Sequence, residues 1–383
     1  MNKLFQIWLS LFITSVSIAQ DTTLQKKLTI NGYVKDLQSL RFNKDFGELV
    51  SGNLLHNRVN LKWRPSGKFS VVTELRNRFF WGEEVKKTPG FASLLRNNNE
   101  KVNMQKVWIN NNSLVLHTNV ERLYADYQTA GLNARIGRQR INWGFATIWN
   151  PNDIFNVYNF LDFDYEERPG VDGAKLRYTF KNNSSAEAAY AHTGKKKGNL
   201  AALKYSFNRW NYDMQFIAGW YKDHPTLGAG WAGYIRDAGL KGELQFFFGS
   251  HDSASHLNLA VEGDYMFKQG WYLNLGFLFN DHGLSAPVKD WDSIQFRPSP
   301  ENLMPTRWNL ILTTMKEISP LISATVGVVY APGTNLLIVI PSVGYNMATN
   351  LDLDLFWQSY FAELENNFGS VSHQCFLRIK WSF

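Results

Sequence analysis

From Val371 to the end the chain alternates without a break. Val371, His373, Cys375, Leu377, Ile379, Trp381 and Phe383 fall on one face, and Ser372, Gln374, Phe376, Arg378, Lys380 and Ser382 on the other. A period of two is the period of a β-strand. An apolar face opposite a basic one, closing on a terminal aromatic, suits a strand with lipid on one side and a wet lumen on the other.

The opposite end of the chain agrees. Lys3 precedes an apolar run from Leu4 to Ile13, and Ser17-Ile18-Ala19 forms a small-x-small site before Gln20-Asp21. This pattern predicts a secretory signal peptide over residues 1–19, leaving 20–383 as a single barrel domain. The run is short of the ~20 apolar residues that a helical span needs. Cys375 is the lone cysteine, so no disulfide framework forms within one chain. Aromatic residues are 15% of the chain, yet no later segment is continuously apolar. Helical membrane proteins do not look like this, whereas in a barrel lipid-facing and lumen-facing residues cancel in any average.

Turn compositions recur along the chain at Pro65–Lys68, Thr129–Gly131, Lys181–Ser184, Phe207–Arg209, Arg236–Gly239, Lys268–Gly270, Ile318–Pro320 and Ala348–Asn350. Longer connections lie near 40–50, 82–112, 144–170, 194–198, 222–228, 249–255, 282–305, 331–335 and 364–370. Eight short turns alternating with nine outer loops predict an all-β fold: a transmembrane antiparallel up-and-down β-barrel of about 18 strands (16–18), with both ends periplasmic. Pro341 lacks a ladder donor and predicts a bulge or an early strand end.

Charge on the lipid face costs about 2–4 kcal/mol near mid-membrane, so strand charges must point inward or sit at the interfaces. With Val59, Leu61 and Trp63 outward, Arg58 and Lys62 face in; Arg76, Arg78 and Glu74 follow on the next strand, then Arg122 and Asp126. The run Gly137–Gly144 is phased with Arg138, Arg140 and Asn142 inside, which leaves Gln139 toward lipid. Arg378 and Lys380 are expected to meet Asp352 and Asp354. The basic wall Arg58, Lys62, Arg76, Arg78, Arg122, Arg138 and Arg140 has two readings. These arginines and lysines pair with acids across strands and stiffen the wall, or they form a cationic ladder that gathers anions. The net charge of +7 leans weakly to the second.

Residues 146–169 form the most unusual segment. Asn150 before Pro151, with Asp153 in the first turn, predicts a helix start. A loop this rich in Phe and Tyr would be sticky in water, so this third outer loop is expected to fold into the barrel. Its acids Asp162, Asp164, Glu166 and Glu167 would then oppose the arginines at a constriction; packing as a lid, or against a neighbouring subunit, is the alternative.

At Gly137-Arg138-Gln139-Arg140-Ile141-Asn142-Trp143-Gly144, Trp149–Phe155 and Asp162–Gly170 the sequence resembles a group of porin-like outer-membrane barrels, loosely similar to the alginate-export and phosphate-selective porins. The resemblance implies a channel of porin size and supplies no solute and no catalytic residue.

No HExxH, paired-cysteine metal site or phosphate-binding Gly-rich loop occurs, so no metal and no cofactor are expected. Gly194–Gly198 lacks the P-loop spacing. His251-Asp252-Ser253 collects triad residue types, but triads are recognised by geometry and adjacent residues point apart. The chain is therefore expected not to be an enzyme. The function that follows is passive diffusion of small hydrophilic, anionic solutes across the outer membrane of a Gram-negative bacterium. The alternative is a non-conducting assembly or export-partner barrel, with a barrel enzyme further behind. Expected partners are outer-membrane lipid, the barrel assembly machinery through the Phe383 strand, the solutes and, by analogy with porins, a homotrimer; nucleic acid is not among them.

Overall fold

The computed structural model describes residues 27–96, 100–157, 161, 169–194, 198–249, 254–291 and 298–383. Signal-peptide residues 1–19, the four loop acids Asp162, Asp164, Glu166 and Glu167, and His251 lie outside the described residues.

The first strands are β1 (Leu28–Asn43), β2 (Leu49–Trp63) and β3 (Phe69–Gly82). Two short helices follow, α1 (Glu83–Lys87) and α2 (Phe91–Leu94), then β4 (Gln105–Asn110), β5 (Leu114–Thr129) and β6 (Leu132–Gln139). Beyond the third outer loop come β7 (Val171–Thr179), β8 (Ser185–His192), β9 (Asn199–Arg209), β10 (Tyr212–Tyr221), β11 (His224–Ile235), β12 (Ala238–Phe247), β13 (His256–Met266) and β14 (Trp271–Asn280). The last five are β15 (Trp308–Ser319), β16 (Ile322–Ala331), β17 (Leu336–Ala348), β18 (Leu351–Leu364) and β19 (Asn367–Ser382).

All 19 strands among the described residues belong to one antiparallel sheet, which closes because β1 pairs with both β2 and β19. At the seam Gly32 and Phe383 exchange backbone hydrogen bonds, each 2.9 Å. A Cβ on Gly32 would lie 2.9 Å from the Phe383 ring and 2.1 Å from Arg58 O, so the terminal aromatic needs a glycine beside it.

β4 is the strand that the sequence does not announce, since it falls within the connection read as 82–112. β5 pairs with β3 along one edge, and on its other edge with β6 in the lower half and β4 in the upper half. β4 therefore continues the column that β6 leaves when the chain turns inward, and the 19 strands fill 18 columns.

The short turns fall close to their expected places, because tight hairpins demand residues that tolerate positive φ. Trp210 and Asn211 (φ 55° and 63°) make the β9–β10 turn, a step beyond Phe207–Arg209. Pro341 neither ends nor bulges β17: the ladder to β18 lapses between Val339 and Ser342 and resumes in the same register.

Exposure separates the two faces. Outward Ile136, Leu203, Phe216, Leu227 and Leu275 are exposed, whereas Gln215, Glu243, Gln245, Asn258 and Glu262, pointing the other way, are buried. A polar interior that is nonetheless inaccessible means that something fills the lumen.

Candidate functional site: a half-filled lumen

The filling begins at Gly137. Its φ of +119° is one that L side chains rarely adopt, and a Cβ there would meet Leu123 O at 2.3 Å. The kink breaks the alternation: Arg138 and Gln139 are both buried, and the chain leaves the wall for the lumen. The expectation that Gln139 faces lipid is overturned, for its amide donates to Gly173 O at 3.1 Å and to Arg135 O at 3.4 Å.

Residues 140–157 cross the interior as irregular backbone, whose N–H groups need partners once water is gone. Two lumen-facing carboxylates supply them. Glu243 on β12 accepts from Phe145 N (2.5 Å), Ala146 N (2.6 Å), Asn152 N (2.9 Å) and Asn150 Nδ2 (3.2 Å). Glu262 on β13 accepts from Thr147 N (2.7 Å) and Ile148 N (2.9 Å). Asp153 takes Trp143 N (2.5 Å) and Gly144 N (2.7 Å), while Trp143 Nε1 donates to Glu187 on β8. No helix starts at Asn150. Asp153 spends its carboxylate on residues 143–144 instead of on a first helical turn, and Pro151–Asn152 form a turn.

Apolar side chains complete the anchor. Ile141, Trp143, Ile154 and Phe155 pack on Val171, Ala189, Ala191, Ala202, Ile217 and other inward residues of β7–β12. Trp149 packs across the lumen against inward Ala260, Leu278, Val329, Ala331, Ile338 and Ala362.

A second loop joins this core, and sequence reading missed it. Within 281–307, Leu303 and Met304 pack in the Trp149 cluster. Asn280 Nδ2 donates to Met304 O (2.5 Å), Asn258 Nδ2 to Pro300 O (2.9 Å), and Lys222 Nζ to Glu301 (2.7 Å). The signal lay in Asn258 and Asn280, polar residues at inward positions of strands, but their partners are loop carbonyls that no local pattern indicates.

Among the described residues, open space lies along β1–β3 and β18–β19. A cavity of about 530 Å³ is lined there by Arg41, Asn53, Arg78, Glu84, Tyr360 and Gln374, among others. Arg78 donates to Leu95 O (3.3 Å) and meets His117 Nδ1 at 3.2 Å, which holds α2 against the wall. Arg41 reaches Glu84 at 3.4 Å.

The other basic residues fare differently. Arg58 is ion-paired with Glu74 and Arg76 with Glu121 (3.3 Å). Glu121 sits at a β-bulge between Glu74 and Leu75 of the facing strand, so it turns inward beside Arg122, whose Nη1 donates to Glu121 O (2.8 Å). Arg138 is tied to Glu100 (2.9 Å), Asp172 (2.8 Å), Val120 O (2.9 Å) and Val102 O, and so fastens the segment before β4 to β5 and β7. Burial pushes the Glu100 carboxyl up from its ordinary range, with Arg138 pulling it back. Arg140 Nη2 donates to Asn142 (2.7 Å), and Lys62 is half-buried on β2. Arg378 meets Asp354 at 3.0 Å, the contact expected between the last two strands. Buried Lys35 and His56, cross-strand partners that both contact Tyr33, also belong to this wall.

A closed barrel of 18 columns, aromatic and apolar outside, polar inside and narrowed by an inward third loop, is an outer-membrane β-barrel of porin type. No family model matches the chain, and no curated protein matches it. Solved structures do. The outer membrane protein opdK from Pseudomonas aeruginosa is 11% identical at a TM-score of 0.60, covering 93% of this chain and 98% of that one. OccAB2 from Acinetobacter baumannii is 9% identical at 0.61, with 93% and 98% covered. OpdK with vanillate is 12% identical at 0.58, again with 93% and 98% covered. At such identity the likeness is one of fold. The similarity to alginate-export and phosphate-selective porins is not supported: Gly137, Arg138 and Trp149–Phe155, which suggested it, are occupied with kinking and anchoring the loop.

Proposed function

We propose that the chain is a passive outer-membrane channel for small hydrophilic solutes, favouring carboxylated ones, and that the path follows the basic wall of β1–β3 past Arg41 and Arg78. The observation that carries this reading is the division of the lumen. Two inward loops and an apolar core occupy the side of β7–β18, and a cavity beside β1–β3 carries Arg41 and Arg78 in its lining. A guanidinium matches a carboxylate with paired donors, and OpdK, of similar fold, has been crystallised with the carboxylate vanillate. The loop acids Asp162, Asp164, Glu166 and Glu167 would sharpen the constriction. The reading contains no catalytic step. It also includes export by the 1–19 signal peptide and recognition of the Phe383 strand by the barrel assembly machinery.

Single-channel conductance of the refolded protein in a planar bilayer, with a salt gradient for ion preference, is the test. Steady conductance with an anion preference that falls on Arg78→Ala supports the reading. A folded barrel that never conducts overturns it in favour of an assembly or export-partner barrel.

A further inference from the structure

The wall is incomplete beside β4. β6 ends at Gln139, paired with Val171, and β7 begins at that same level. Above it β4 takes over the β6 column and pairs with β5, and among the described residues no strand pairs with its other edge. The tip of the β8–β9 hairpin approaches there instead. A Cβ on Gly194 would lie 2.8 Å from Glu100 O and 3.3 Å from Lys101 Cα.

A cavity of about 500 Å³ occupies the breach, and both faces of β4 line it. Gln105 is inward, its Oε1 3.4 Å from His117 Nε2, and Val107 is inward against the cluster of Val85, Ala92 and Val115. Lys106, between them, is outward, with Nζ 4.0 Å over the ring of exposed Trp108. Successive strand residues point to opposite faces, so a cavity that touches all three wraps round a free edge. An exposed tryptophan at its outer mouth suits the height of lipid headgroups.

Three cations reach this cavity from three segments: Arg96 after α2, Lys101 before β4 and Lys106 within it. The carboxylate among the lining residues, Glu100, is already held by Arg138 (2.9 Å) and Asn119 (3.3 Å). Arg96 and Lys101 have no ion pair among the described residues. We propose that the breach binds a phosphate monoester group. Such a group carries nearly two charges and three terminal oxygens and can meet three donors at once, whereas a carboxylate offers one charge and two oxygens. Two kinds of molecule bring it to this height: a soluble phosphate ester entering from the barrel mouth, or an outer-leaflet lipid with a phosphorylated head entering from the side. The site is distinct from the Arg41 and Arg78 cavity, since Leu95 lines that one and Arg96 this one. It stands whatever the lumen conducts.

Both sources are tested on the refolded full chain in detergent. Isothermal titration with phenyl phosphate, against benzoate as the carboxylate control, reads the soluble source; native mass spectrometry with added phosphatidic acid, against diacylglycerol, reads the lipid. In at least one arm the phosphate compound should bind about tenfold or more tighter than its control. Arg96→Ala, Lys101→Ala and Lys106→Ala each remove one charge-assisted contact and should each weaken that binding by about tenfold. Lys181→Ala/Lys268→Ala, which takes two charges from the short turns at the other end of the barrel, should leave it unchanged. Heat-modifiable gel mobility confirms that each variant is a folded barrel. A response in the first arm alone assigns the site to soluble esters, and in the second alone to lipid. Phosphate compounds that bind no tighter than their controls in both arms overturn the proposal, and so does binding that survives all three alanine substitutions.

Discussion

Glu243 satisfies three backbone N–H groups and one side-chain amide from a single carboxylate. Hydrogen bonds to a charged acceptor contribute about 1.5–3 kcal/mol each, and an isosteric amide can accept but also brings a donor that faces N–H groups. Glu243→Gln should therefore loosen the 140–157 segment without removing the wall. The expected result is a noisier channel of higher conductance with a lowered urea midpoint; unchanged conductance would mean that the apolar contacts alone seat the loop. Arg78 is the complementary case. It lines the cavity, so Arg78→Ala should change ion preference more than stability, and the reversal potential in a salt gradient reads this directly.

At the scale of elements, β4 and β6 share a column, and Arg138 joins that column to its neighbours through Glu100, Asp172 and Val120. Removing one partner of a buried ion pair costs about 3–5 kcal/mol. Arg138→Ala is expected to destabilise by that order and to expose Gln105–Asn110 to protease, which limited proteolysis in detergent would show. Its effect on ion preference would be secondary to that loss of structure. The 281–307 loop behaves differently, since Leu303 and Met304 enter an apolar cluster that meets the cavity of Arg41 and Arg78 only through Leu161 and Tyr360 at its border. Truncating a buried Leu or Met costs about 2–5 kcal/mol. Leu303→Ala/Met304→Ala should raise conductance while leaving anion preference where it was; a changed preference would place the path through the apolar side.

For the whole molecule, anion preference should depend on ionic strength. The Debye length falls from about 10 Å at 0.1 M salt to about 3 Å at 1 M. Because Arg41 and Arg78 border an open cavity, their field is screened more readily than that of the buried pairs. The preference measured at 0.1 M is expected to be largely lost at 1 M, and a preference that survives would point to fixed buried charge or to size.

The period-two alternation and the turn residues carried the architecture. The sites of the hairpins, the 18 columns, the outward Val59, Leu61 and Trp63 and the pairing of Asp354 with Arg378 all follow from residues near in sequence or adjacent in a ladder. The aromatic content of 146–169 raised an inward fold beside the alternative of a lid, and residues 146–157 do turn inward. What the alternation could not give was every departure from it. Glu121 turns inward only because a bulge inserts it, and Gln139 is buried only because Gly137 kinks the strand. β4 looked like loop because its partner strand lies after it, and its column is vacated by a third strand. Glu243 and the segment it holds are 91 to 98 residues apart, and a carboxylate bonded to distant backbone amides leaves no mark on its own neighbours. Local backbone chemistry thus determined the barrel. Long-range satisfaction of buried polar groups, which exists only once the sheet has closed, decided how much of its lumen stays open.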